Sequence, residues 1–150
     1  MASINDLVAE LKTLVGSVST VADKGFSIHS MEELEKLAGY AQPPLVGVVY
    51  NGAERLENSV VGVQENSSAV FVAAYFTVVV VMSYQYMTDA DTKVDALSLL
   101  DELRAAILGY QGVNTRPWRF NGEQPLGSDS EGLIYYGQTW ETRLPMTSNN

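Results

Sequence analysis

The sequence is 150 residues long, 46% hydrophobic and 18% charged, the balance of an ordinary globular domain and not of a disordered chain. Its net charge of −9 counts against a general nucleic-acid binder, which needs a basic face to neutralise phosphates. There are no cysteines, which excludes a disulfide framework, a thiolate nucleophile and a cysteine-ligated metal.

The opening residues, MASINDLVAELK, carry acids and lack a basic stretch ahead of an apolar core. No secretory signal is expected, and the chain should be soluble and intracellular when made. Residues 3–18 predict an amphipathic helix, because Ile4, Leu7, Val8, Leu11, Leu14, Val15 and Val18 recur at three- and four-residue steps. Ser3 is placed to cap it, and Asp6 sits where a capping-box acid belongs. From Ser19 to Phe26 the chain turns polar, with Gly25 a natural break. Ser30, Met31, Glu32 and Glu33 make a second capping box, opening a short helix through Leu34 and Leu37 to Gly39. His29, the only histidine, stands just before that cap and reads as a residue leading into the helix, since no second ligand is in view. The acids Glu32, Glu33 and Glu35 read as partners of the helix dipole rather than as a metal site.

Pro43 and Pro44 launch a first strand, Leu45 to about Arg55, bent at Gly52. A polar excursion follows, and Val60, Val61 and Val63 within it predict a short edge segment. Ala69 to Tyr84 then reads AVFVAAYFTVVVVMSY, with no charge and a run of four valines that crowds a helix and suits a pleated strand. It is shorter than the roughly 20 apolar residues of a membrane helix, so no membrane partner is expected. Both of its parities are apolar, which predicts a long central strand covered on both faces and antiparallel to the first. Strands usually run about 5–6 residues, so this one is expected to reach past a single core, with a second copy of the chain as the cover.

Thr88 to Asp91 predicts the start of a long second helix. Val94, Leu97, Leu100, Leu103 and Ile107 are its expected buried stripe, broadened by Leu99, Ala106 and Leu108, and Gly109 and Gly112 end it. Residues 116–120 predict a short aromatic strand, and residues 121–129 a turn-rich loop. Gly132 to Arg143 is the last strand. Ile134, Tyr136, Gln138 and Trp140 share one of its faces, and Leu133, Tyr135, Thr139, Glu141 and Arg143 the other. Trp118 and Trp140 suit a base- or sugar-stacking surface, but aromatics in strands more often pack across strands. Residues 144–150 read as a loose tail of a single domain spanning 1–150.

No phosphate-cradling glycine loop, nucleophile elbow or paired histidines appear, so no catalytic, cofactor-binding or metal-binding residue is assigned and no enzyme is expected. The expected fold is α+β: a mixed, mainly antiparallel sheet of four or more strands with two main helices on one face. Val60, Val61, Val63, Val79 and Val81 are the candidate subunit interface, because the apolar surface exceeds what two helices cover. Glu54, Glu57, Glu65, Asp129 and Glu131 are the acids in or beside the two polar loops.

In this order of elements the chain resembles the tail terminator proteins of long-tailed bacteriophages of the Mu-like and lambda-like kind. Pro44 to Tyr50, Ala69 to Tyr84, the helix Val94 to Leu108, and the closing blocks Arg116 to Glu123 and Leu133 to Arg143 carry the resemblance. It covers roughly Ile4 to Arg143, with Ser19 to Gly39 the part that fits least. The resemblance implies a virion protein assembled in the host cytoplasm: a ring, typically a hexamer, capping the head-proximal end of the tail tube. Such a ring stops tube polymerisation and offers its other face to head-completion or neck proteins, while genomic DNA passes through without specific binding. On that reading the valines are candidates for subunit or tube contacts, and the loop acids either face the lumen in part or are simply solvated loop charges. Two alternatives stay open: a neck or head-closure ring of related fold, and a small α+β ligand-binding domain or enzyme.

Overall fold

The structure is a computed structural model and describes residues 3–30, 43–56, 70–83, 95–112, 116–128 and 132–146. Among them are three helices, α1 (Ile4–Gly16), α2 (Ser19–Asp23) and α3 (Ala96–Ile107). Five strands, β1 (Ser27–Ser30), β2 (Leu45–Arg55), β3 (Val70–Ser83), β4 (Arg119–Ser128) and β5 (Leu133–Met146), form one sheet ordered β1-β2-β3-β5-β4. Only the β1–β2 pair is parallel, so the fold is α+β with a mixed, mostly antiparallel sheet.

The expected capping box is present. Asp6 N–H donates to Ser3 Oγ at 3.1 Å, and Ser3 N–H donates to Asp6 Oδ2 at 2.8 Å. Two of the orphan donors at the start of α1 are thereby satisfied. α1 buries Leu7, Leu11, Leu14 and Val15; α3 buries Ala96, Leu99, Leu100, Leu103 and Ile107. Each fully buried leucine contributes about 1.5–3 kcal/mol relative to leaving it exposed. All of these join one core with Val72, Ala74, Phe76, Val78, Val80 and Met82 of β3, alternate residues that share a single face.

At the Phe76 level an aromatic row crosses four strands. Tyr50 pairs with Phe76, Phe76 with Trp140, and Trp140 with Phe120. Trp118 stands edge-on over Phe76, with ring centroids 5.5 Å apart. Its indole N–H donates to Glu10 Oε1 at 2.7 Å, tying α1 to the chain entering β4. Both tryptophans are buried, so they pack, as strand aromatics commonly do.

Beside this row lies a buried polar network. Trp140 Nε1 donates to Gln138 Oε1 at 3.3 Å, and Gln138 Nε2 donates to Leu100 O at 2.9 Å and Glu123 Oε1 at 2.8 Å. Glu123 also accepts from Arg104, which pairs with Asp101. The network joins α3 to β4 and β5, and Gln138, fully buried, has its amide satisfied.

Several expectations are corrected. The polar stretch 19–26 holds α2, β1 follows it, and His29, expected to lead into a helix, is a strand residue opposite Gly47. β1 pairs with the start of β2, a long-range partner that four residues of local sequence do not announce. The supposed loop 121–129 is strand through Ser128, with bulges at Phe120/Gly122 and Pro125/Gly127. Glycine and proline are tolerated there because β4 is an edge, whose outer side needs no ladder bonds. β5 runs to Met146, so residues 144–146 are not a loose tail; Leu144 is fully buried against the core. Leu97 and Leu108 are exposed, 66% and 58%, and lie about three turns apart on the solvent side of α3. Asp95 caps α3, accepting from Leu97 N–H and Ser98 N–H. The three described helices all lie against one face of β3. The predicted helix at 31–39 and the start at 88–91 lie outside the described residues.

Replacing Gln138 with leucine leaves the Trp140 indole N–H without its acceptor and removes a donor from Glu123. Gln138→Leu is expected to lower stability by about 1–3 kcal/mol. Urea unfolding should show a lower midpoint while far-UV dichroism of the native state is unchanged.

Candidate functional site

The uncovered face of the sheet is built from the odd residues of β3. Phe71, Tyr75, Thr77, Val79 and Ser83 are half-buried there, and Ala73 and Val81 are buried. β5 adds Tyr135, Gly137, Thr139, Glu141 and Arg143, opposite Val81, Val79, Thr77, Tyr75 and Ala73 in turn. This is the second face the sequence assigned to β5. From β2 come Val49 and, past the bulge at Tyr50/Gly52, Gly52 opposite Tyr75 and Glu54 opposite Ala73. Gly52 has φ +107°, a conformation that suits glycine and lets the strand bend where expected.

One half of this face is a shallow trough of about 300 Å³, lined by Val49, Asn51, Thr77, Val79, Gln124, Leu126, Gly137 and Thr139. Gly137 forms its floor. A Cβ there would lie 3.0 Å from Leu126 Cδ1 and 3.4 Å from Thr77 Cγ2, so glycine lets Leu126 lie against the sheet. Asn51 Nδ2 donates to Thr77 Oγ1 at one side of the trough.

The other half is charged. The Tyr75 hydroxyl donates to Glu54 Oε1 at 2.6 Å, and Arg143 Nε donates to Glu141 Oε1 at 3.3 Å. Arg119 of β4 sits opposite Glu141. The hydrogen bond to Glu54 raises the Tyr75 phenol from its usual 10.0 to about 12; partial burial and the charges of Glu54 and Glu141 act the same way, against Arg143.

Three of the residues singled out in the sequence therefore meet on this face. Val79 lines the trough, Val81 lies two residues along and is 8% exposed, and Glu54 joins the charged half. Val60, Val61, Val63, Glu57, Glu65, Asp129 and Glu131 lie outside the described residues. Sequence reasoning missed Leu126 and Gln124, hidden in a segment that read as a turn, and Tyr75 and Glu141, whose contact needs the register of β3 on β5. Among the described residues no group of acids or histidines is arranged to hold a metal ion, and no helix is long and apolar enough to cross a membrane.

The family model described as phage tail terminator protein matches residues 4–150. No curated protein matches the chain in sequence. Among solved structures, the chain is similar to one in the virion of a native gene transfer agent particle, with a TM-score of 0.61 at 12% identity. The alignment covers 97% of this chain and 98% of that one, a likeness of fold. A structure from Akkermansia muciniphila, described as without its transmembrane region, aligns over 99% of this chain and 89% of that one at 11% identity. Its TM-score of 0.28 carries no argument.

The raised Tyr75 value has a definite sign. The neutral phenol is favoured in the folded chain, so this stabilisation is complete below pH 10 and is lost as pH rises through about 12. In an ultraviolet titration of the eight tyrosines, one is expected to ionise late, and Glu54→Gln should bring it forward. An unchanged titration curve for Glu54→Gln would refute the contact.

Proposed function

The chain belongs to the phage tail terminator protein family, and from that premise we propose that it closes into a ring capping the head-proximal end of the tail tube. It is a structural protein of the virion tail. In this reading the ring, a hexamer, sits on the last layer of tube protein, stops further polymerisation and presents its other side to a head-completion protein. DNA passes through the centre without specific contacts.

The observation that carries the ring is the uncovered sheet face. All three described helices pack on one side of the sheet, yet Val49, Val79, Val81, Tyr135 and Leu126 lie on the other. A face of this kind on an isolated subunit is an interface waiting for cover. A ring also needs a contact that differs on its two sides and closes by rotation. The net charge of −9 suits a passage that DNA slides through.

Val79, half-buried in the trough, and Val81, almost fully buried, separate assembly from folding. Val79→Asp is expected to leave a folded subunit that no longer assembles, whereas Val81→Asp should lower stability by about 1–3 kcal/mol as well. Dichroism and sedimentation velocity on the two proteins make the comparison.

The function itself is tested by deleting the gene from the particle that carries it and imaging the lysate. Tails of irregular, extended length without heads are expected. Tails of normal length without heads would assign the protein to the neck instead, and normal tails with heads attached would remove both roles.

A further inference from the structure

A ring closed by rotation joins two different patches of the same chain, and the described residues expose apolar side chains at two suitable places. One is the trough on the uncovered sheet face. The other is a knob at the end of α3, where Leu108 and Tyr110 are 58% and 46% exposed. The knob stands on a rigid base. Gly109 N–H donates to Trp118 O and Trp118 N–H donates to Tyr110 O, both at 3.0 Å. Gly109 has φ +79°, which turns the chain sharply out of the helix. Trp118 packs on Phe76, and Phe120, 39% exposed, meets Trp140 edge-on with centroids 5.3 Å apart.

The charges beside the two places are complementary. Arg116 lies two residues before Trp118, is exposed, and has no side-chain partner among the described residues, in a chain with twice as many acids as bases. On the uncovered face Glu54 is bonded to the neutral Tyr75 phenol and has no cation paired with it among the described residues. Exposed aromatics rimmed by arginine are the composition of an interface centre.

We propose that the knob of Leu108 and Tyr110 seats in the Val49–Val79–Leu126 trough of a second copy of this chain, with Arg116 directed to the partner copy's Glu54. The proposal rests on the ring reading and names the contact that closes it. Knob and trough lie on opposite faces of the sheet, so one chain cannot satisfy its own trough, and the contact is heterologous. A standard interface buries about 800 Å² per partner, so this pair is the centre of the contact and not its whole extent.

The chain has no cysteine, which gives a clean background for crosslinking. Tyr110→Cys combined with Leu126→Cys should form disulfides between copies, giving a ladder of bands that ends at the closed ring. A disulfide within one copy is excluded by the sheet between the two positions, because the Cα atoms must come within about 7 Å. Each single variant should give no ladder, and Leu97→Cys with Leu126→Cys, which moves the thiol to the far end of α3, should give none. A Tyr110→Asp subunit should keep its dichroism spectrum and lose the ring peak in sedimentation.

If the wild type forms rings but the Tyr110/Leu126 pair gives no ladder, this contact is overturned while the ring stands. A dimer from Leu126→Cys alone would mean trough meets trough, which also overturns it. If the wild type closes into no oligomer, alone or on purified tail tubes, the ring reading falls first.

Discussion

A strand has two faces, and the three described helices of this chain serve only one of them. β3 runs 14 residues through the middle of the sheet, paired along its length by β2 and β5. Its even residues enter the core and its odd residues do not, because side chains alternate with a period of two. A slip of one residue would carry Phe76, Val78 and Val80 out of the core and bring Tyr75, Thr77 and Val79 in. Tyr75 would then be buried with its Glu54 partner left behind. The register that makes the core also sets the composition of the uncovered face.

What holds that register is a pair of transverse contacts rather than the ladder alone. The aromatic row Tyr50–Phe76–Trp140–Phe120 crosses four strands at one level, and the Gln138 network joins β4 and β5 to α3 at the next. β4 depends on both. Eight of its ten residues would suit a loop as well as a strand, and bulges interrupt its pairing twice. Pro125 and these bulges also blunt its outer edge against strand addition by another chain. With that edge spoiled, the sheet face is the better-formed surface for a second copy.

The parts of this arrangement that were legible in the sequence are those with local causes. The capping box at Ser3 and Asp6, the bend at Gly52 and the two faces of β5 each follow from a few neighbouring residues, and all stand in the structure. β1 was not legible because Ser27 to Ser30 has no apolar alternation and gains its partner, Leu45 to Val48, from beyond a second segment. β4 was hidden by Gly122, Pro125 and Gly127, residues that mark turns in isolation and are accepted at a bulged edge. In α3 and at its C-cap not every leucine takes a buried position. Leu97 and Leu108 belong to the line of Asp101 and Arg104, and apolarity alone assigned them to the wrong side. Of the candidate site, Val79 and Val81 were visible as apolar residues left over, whereas the trough needed Leu126 from a strand that composition concealed.

The acidity of the chain also divides once contacts are assigned. Asp6 and Asp95 cap helices, Glu10 receives the Trp118 indole, and Asp101 and Glu123 bind Arg104. Each of these five acids has a structural use that accounts for its position without any lumen. Net charge therefore overstates how much negative surface is available to repel DNA. Glu54 differs, because among the described residues it has only a neutral phenol for a partner and stands on the sheet face opposite the described helices. An acid in that place acts on whatever approaches the sheet. Where a neighbouring copy approaches, it favours an arginine; where the face is open to the passage, it repels phosphate. Those two uses exclude each other at a single residue, so in the proposed ring the side that Glu54 faces decides whether its charge serves assembly or transit.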